Sequence, residues 1–367
     1  MPEIEPDEEV QMVARGLATA VAPESGLEPA QASLLAAITE ALTGIEVDYL
    51  GLEPLAAEEL AAVVADHDDA YRRRLVQHMV LGELILRPLP PAVAKRVADY
   101  AAALGIHDQF VRIARRYAQG AFGLAWIDLH RSGFAEHWES VRTDQLKTDV
   151  KPPDQLSLAE ADPVLEARWR AFEDLGPGTL GRSVWEMYDG RGFSLPGSPG
   201  GASAYLAQHD FVHVLADYGT NLDGEIEVFG LIGRADPDPK GFAWLATLIG
   251  LFETGYVADA GFFTGDLRER HLDSADMHVR LADAIRRGKV VCDAIGVDLL
   301  EVDYHDLAPL DVVEACAEIG LPAKSRRALD AGSPGLFDRA GMSRIQQEYV
   351  ASRSDQSSPD DTAGRST

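Results

Sequence analysis

The sequence predicts an all-α fold of two helical domains, and three observations carry that prediction. Apolar residues recur at three- and four-residue spacing, as in Val10, Val13, Leu17 and Val21 and again in Leu34, Leu35, Ile38 and Leu42. Proline and glycine punctuate these runs where helix ends require them: Pro29 opens the second run and Gly44 closes it. Strand signals are thin, the best short run being GVDLLEVDY at 296–304.

A chain of 367 residues exceeds the size at which one core usually stops growing, which predicts two domains. The first occupies residues 1–140, with further helices over 55–65, 69–86, 91–104 and 108–130, separated by Pro88, Pro90, Pro91 and Gly105. This half faintly resembles TerB-like helical bundles, with TGIEVD at 43–48 the nearest match to their acidic turns; the resemblance implies an accessory domain. Residues 141–163 are polar, contain a Pro-Pro pair and lack apolar periodicity, which marks a linker. The second domain, 164–322, carries predicted helices at 164–174, 179–189, 201–217, 224–234, 241–263, 274–291 and 309–319. After residue 350 the apolar content is too low to offset ordering entropy, so 350–367 reads as a disordered tail.

Composition narrows function. Sixty acidic against thirty-three basic residues give a formal charge of -27, a field that repels nucleic acid and argues against it as a partner. Cys292 and Cys316 alone offer neither a disulfide framework nor a thiolate zinc site, which fits a reducing compartment. The acidic start MPEIEPDEEV has no apolar run and no arginine, so a cytoplasmic location is expected, with peripheral contact at the inner membrane face as an option. The apolar stretch 241–263 is long enough to span a bilayer but holds Glu253 and Asp259, and reads as a core helix. Its Gly250, Gly255, Ala258 and Gly261 could leave a groove for an isoprenoid tail, plain packing being the commoner outcome.

The chemistry concentrates in HDFVHVLADYGTNLDGE at 209–225. His209 and His213, four apart, project from one face of a helix, with Asp210 beside the first. The turn residues YGTNLDG end that helix near Tyr218 and Gly219, and Asp223 is placed to cap the next. Glu225 then falls in the first turn of the returning helix and can face both histidines. Two neutral imidazoles and at least one carboxylate suit zinc or ferrous iron with open positions. The alternative is an ordinary helical corner whose histidines are core or surface residues. A second doublet, His107 and Asp108, has no spacing that ties it to the first and reads as a helix start. Arg286, Arg287 and Lys289 could meet a carboxylate or phosphate, although such triplets are usually solvated, and Cys292 reads as packing.

HDxxH followed by eleven residues and a glutamate, formed by His209, Asp210, His213 and Glu225, resembles the signature of the ubiquinone (coenzyme Q) biosynthesis protein 4 family. GPGTLGRSVWEMY at 176–188, DYGTNLDGEI at 217–226, AIRRGKVV and VDYHDLAPLDVVEACAEIGLP resemble its flanking segments, so the likeness covers 164–322. Val212 stands where many members carry an aromatic residue, and EIEVFGLIG at 225–233 lacks an expected glutamine, which bears on substrate more than on metal. The resemblance implies a helical protein binding zinc, or another divalent ion such as iron, cobalt or manganese, through those four residues. It implies work in quinone-ring maturation on a prenylated phenolic precursor: either oxidative removal of the ring carboxylate or organisation of other pathway enzymes. Because His209, His213 and Glu225 suffice to hold an ion, Asp210 is either a fourth ligand or a catalytic base beside an open position. A metal-dependent hydrolase is the remaining alternative.

Overall fold

The computed structural model describes residues 6–86, 89–106, 161–199, 201–202, 204–205, 207–237, 245 and 271–356. Within them the fold is all-α: fourteen helices and no strand, with one isolated bridge between Thr179 and Asp311.

The first half supplies α1 (Pro6–Val21), α2 (Pro29–Thr43), α3 (Ala57–Val63), α4 (Asp69–Leu84) and α5 (Pro91–Ala103). Pro29 begins α2, and Gly44 ends it in the left-handed region at φ 76°, where the missing Cβ removes the steric cost. Buried Gln31 ties this bundle together, its amide donating to the Val21 carbonyl at 2.9 Å and the Gly82 carbonyl at 2.8 Å.

The second half continues with α6 (Pro163–Arg170), α7 (Leu180–Arg191), α8 (Gln208–Ala216), α9 (Leu222–Ala235) and the long α10 (Ala275–Ile295). Short helices follow: α11 (Tyr304–Leu307), α12 (Val312–Glu318) and α13 (Arg326–Asp330), before α14 (Arg344–Gln356). At the centre α9 and α10 pack closely. A Cβ on Gly288 of α10 would sit 2.4 Å from the Leu231 carbonyl oxygen, and one on Gly230 of α9 would meet Leu281 at 2.6 Å, so glycine at both positions sets the approach.

α2 covers α10, where Ser33 and His278 Nδ1 lie 2.9 Å apart, and Arg327 of α13 pairs with Glu40. Arg74 of α4 donates to the carbonyls of Gly233 at 3.2 Å and Asp236 at 2.6 Å, satisfying orphan acceptors at the C-terminal end of α9. Buried side chains from α1 to α5 and from α6 to α12 accordingly belong to one continuous core.

Several expectations change. The strand signal at 296–304 resolves into a 3-10 turn at Leu299–Glu301 and the start of α11; Asp298 accepts from the Leu300 amide, and Leu299 and Leu300 fill the core without a partner strand. The helix expected from 201 begins only at Gln208, because Pro196, Gly197, Pro199 and Gly201 hold the preceding chain in turns. Chain beyond 322 builds α13 and α14, and the helix runs to Gln356 where a disordered tail was expected. Tyr349 packs over Gly192, and Arg353 pairs with Asp189 at 2.9 Å, contacts that composition does not reveal. The expected helix 108–130, the His107–Asp108 doublet, residues 141–160 of the linker, all of 241–263 except buried Leu245, and the tail from 357 lie outside the described residues. Among the described residues no helix is long and apolar enough to cross a membrane.

Candidate metal centre

The corner between α8 and α9 determines where the ligand types meet. Helix α8 ends at Ala216, two residues before Tyr218, because Asp217 enters the left-handed region at φ 56° and its amide donates back to the His213 and Val214 carbonyls. Aspartate tolerates this conformation better than most side chains, and here its Oδ1 also accepts from the Leu336 amide at 2.8 Å. The cap of α9 is Asn221, not Asp223: the Asn221 side chain accepts from Gly224 N at 2.9 Å. Asp223 turns instead toward His271, at 2.6 Å, and Arg280, at 3.4 Å.

The corner is closed from outside by the chain beyond 330. The Gly341 carbonyl accepts from Thr220 N at 2.7 Å and Asn221 N at 3.0 Å, and a Cβ on Gly219 would stand 2.5 Å from Gly341 Cα. Thr220 is gripped by Gln346, donating its hydroxyl to Oε1 at 2.8 Å, and receives a hydrogen bond from Arg191 Nε at 2.6 Å.

This geometry brings the four sequence-expected residues together. Ligand atoms of His209, Asp210 and His213 lie within 4.8 Å of one another, a group that could hold a metal ion. Glu225 joins from α9: its Oε1 is 3.2 Å from His213 Nε2 and its Oε2 is 3.7 Å from His209 Nε2. Asp210 Oδ1 is 3.6 Å from His209 Nε2. His213 is fully buried, and the side chains of His209, Asp210 and Glu225 are 14, 10 and 7% exposed, so the charges face one another rather than bulk water.

Neighbours orient each group. His213 Nδ1 lies 3.4 Å from the Tyr218 carbonyl, a long contact that favours the proton on Nδ1 and turns Nε2 toward Glu225. Although Glu225 is close, buried His213 Nε2 makes no hydrogen bond of acceptable geometry. The His209 ring stacks on Phe229, one turn along α9 from Glu225, with centroids 5.5 Å apart and planes at 26°. Asp210 Oδ2 accepts from the Tyr188 hydroxyl at 2.5 Å.

The electrostatics follow from burial and pairing. Burial alone would raise the Glu225 carboxyl, but His213 and then His209 outweigh it and hold it below its ordinary value. Burial likewise opposes charge on His213, yet Glu225 and Asp210 lift its pKa, so the field at this point favours a cation. Burial and the adjacent Asp210 carboxylate push the Tyr188 phenol far above its usual range, keeping it a donor.

Sequence reasoning missed these supporting residues. Tyr188 closes the 176–188 segment with nothing in the sequence to mark it as a partner of Asp210, and residues 323–346 carry no periodic signal that would place them at the corner. Arg287, weighed as a ligand-head contact, is instead buried. It donates to the Ala216 carbonyl at 3.0 Å and the Pro322 carbonyl at 2.9 Å and lies over the Tyr218 ring. It therefore anchors the end of α8, while Arg286 pairs with Asp283 and Lys289 with Asp293. The chain matches no family model, no curated protein and no solved structure with which it was compared.

Proposed function

We propose that this protein binds one divalent metal ion through His209, Asp210, His213 and Glu225, and uses it to hold a prenylated phenolic acid in quinone-ring maturation. The observation that carries the metal is the convergence of two imidazoles and two carboxylates around a fully buried His213 whose Nε2 forms no hydrogen bond. A buried ring nitrogen without a well-directed hydrogen bond, facing two carboxylates, is a place where a bonded cation would satisfy the nitrogen and balance both negative charges. The donor set suits zinc, and equally iron, cobalt or manganese. The quinone context rests on the resemblance of the HDxxH-x11-E spacing and its flanks.

Bound there, the ion would supply Lewis-acid polarisation of a phenolic or carboxylate oxygen. Tyr188 holds Asp210, the Tyr218 carbonyl orients His213, and Phe229 fixes the His209 plane. In an oxidative decarboxylation, a ring hydroxyl replaces the carboxylate, carbon dioxide leaves, and dioxygen with two electrons from a reductant supplies the hydroxyl oxygen and one water. A second reading, a scaffold that holds the lipid intermediate and partner enzymes, is favoured by the number of side-chain donors, since four match a closed structural site.

Purified protein is expected to carry about one ion per chain, and His209→Ala or His213→Ala to lose most of it. Full metal content in the double variant would end the metal reading. Incubation with prenylated hydroxybenzoates, a reductant and air, followed by mass spectrometry, separates the two roles: carbon dioxide release with ring hydroxylation marks an enzyme, and none at full metallation marks a scaffold. Oxygen-independent cleavage of an ester or phosphate would instead mark a hydrolase.

A further inference from the structure

Resting on the metal reading above, we infer that Tyr188 is a positioning residue that restricts Asp210 to one ligand oxygen, leaving the ion room for an oxygen donor from the substrate. The two carboxylate oxygens of Asp210 face different partners. Oδ1 belongs to the histidine cluster, 3.6 Å from His209 Nε2, whereas Oδ2 accepts from the Tyr188 hydroxyl at 2.5 Å. The hydrogen bond takes one lone pair of Oδ2 and turns that oxygen toward the phenol, which leaves Oδ1 as the oxygen aimed at the histidines.

Tyr188 cannot easily swing away. Its ring is buried, 5.4 Å from Trp169 and 5.7 Å from Phe193, and Trp169 in turn packs on Phe211, the residue after Asp210. The phenol is thus held by α7 and its aromatic neighbours. With Oδ2 turned away and Glu225 ligating through one oxygen, the protein presents four donor atoms, and an ion that tolerates five retains a position for a phenolate or carboxylate. With Oδ2 released, a bidentate aspartate fills that position. The hydroxyl of Tyr188 therefore decides whether Asp210 closes the site.

The test uses the full chain stripped with a chelator and titrated with Co(II), whose visible bands weaken as coordination number rises. Tyr188→Phe keeps the packed ring and deletes only the hydroxyl. It is expected to retain the helical circular dichroism of the parent and to bind about one Co(II), with weaker visible absorption and an affinity changed about tenfold or more. A Co(II) spectrum and affinity identical to the parent's overturn the inference. A measurement on the parent itself covers the case of a variant that fails to fold. In the infrared difference spectrum on zinc loading, with 13C-labelled aspartate separating Asp210 from Glu225, a wide splitting of the two carboxylate stretches is expected for one-oxygen ligation. A narrow, bidentate splitting overturns the inference. If the parent takes up no Co(II), the metal reading itself falls and takes this inference with it; if the parent binds and Tyr188→Phe is indistinguishable, only the inference falls.

Discussion

His78 shows how a single buried side chain can set the response of the whole protein to acid. It lies on α4 inside the core, where burial first, and then Arg234 and Arg74, lower its pKa from 6.5 to about 3. A histidine depressed in the folded state contributes stability that is fully present above the unfolded value near 6.5 and is lost as pH falls toward the folded value. The loss accrues at about 1.4 kcal/mol per pH unit for each such group. His305, lowered to about 4 chiefly by burial, acts in the same direction. Between pH 6.5 and 4 the melting temperature is therefore expected to fall, and less steeply in His78→Gln than in the parent. Parallel melting curves for the two proteins would show that His78 titrates normally. At the candidate site the residue scale was largely legible: His209, Asp210, His213 and Glu225 were recognisable because helical spacing fixes a face and a short turn fixes a return. Tyr188, Phe229 and Arg287 were not, because each reaches the site from outside the motif or along a packed face, and such contacts leave no local pattern.

At the scale of elements, the approach of α9 to α10 is the feature most exposed to mutation. In Gly288→Ala the new Cβ would meet the Leu231 carbonyl oxygen at 2.4 Å, a backbone contact that cannot yield like a flexible side chain. Since α9 carries Glu225, the substitution is expected to destabilise the protein by about 1–3 kcal/mol through overpacking and also to weaken metal retention. Chemical denaturation and metal analysis on the same sample check both. Asn221→Ala removes the cap of α9 and is expected to cost about 1 kcal/mol, with a smaller effect on the metal because the Gly341 carbonyl still binds the corner amides. Helix existence was read well from periodicity, and α2 matches its proline and glycine signals. The errors have particular causes. A continuous apolar run at 296–304 looks alike in a buried strand and in a core-lining turn. The helix start at 208 depended on turn residues outweighing the pattern, and Asp223 lost the cap to Asn221 because it is drawn into a pair with His271.

On the scale of the whole molecule, the division into 1–140 and 164–322 meets a core shared by the described helices of both halves. Arg74 at the end of α9 and Ser33 beside His278 place first-half residues directly against the two helices behind the α8–α9 corner. This predicts one cooperative unfolding transition. The tryptophans all lie beyond residue 106, at 126, 138, 169, 185 and 244, so fluorescence reports from there on while circular dichroism reports every helix. The two denaturation curves are expected to coincide, and a separate fluorescence midpoint would show two independent units.

The seating of Gly341 and Gln346 on the corner also gives the protein a timetable. Gln346 lies 126 residues beyond Thr220. At about 5–20 residues per second, ribosomes take roughly 6 to 25 s to make that stretch. For all but the first few residues of that interval a nascent chain already owns His209, Asp210, His213 and Glu225 but lacks Gln346, which pins the turn between them. The four side chains thus reach their final geometry only in the closing moments of synthesis or later, and a ribosome stalled within this stretch carries them without the brace that fixes their positions.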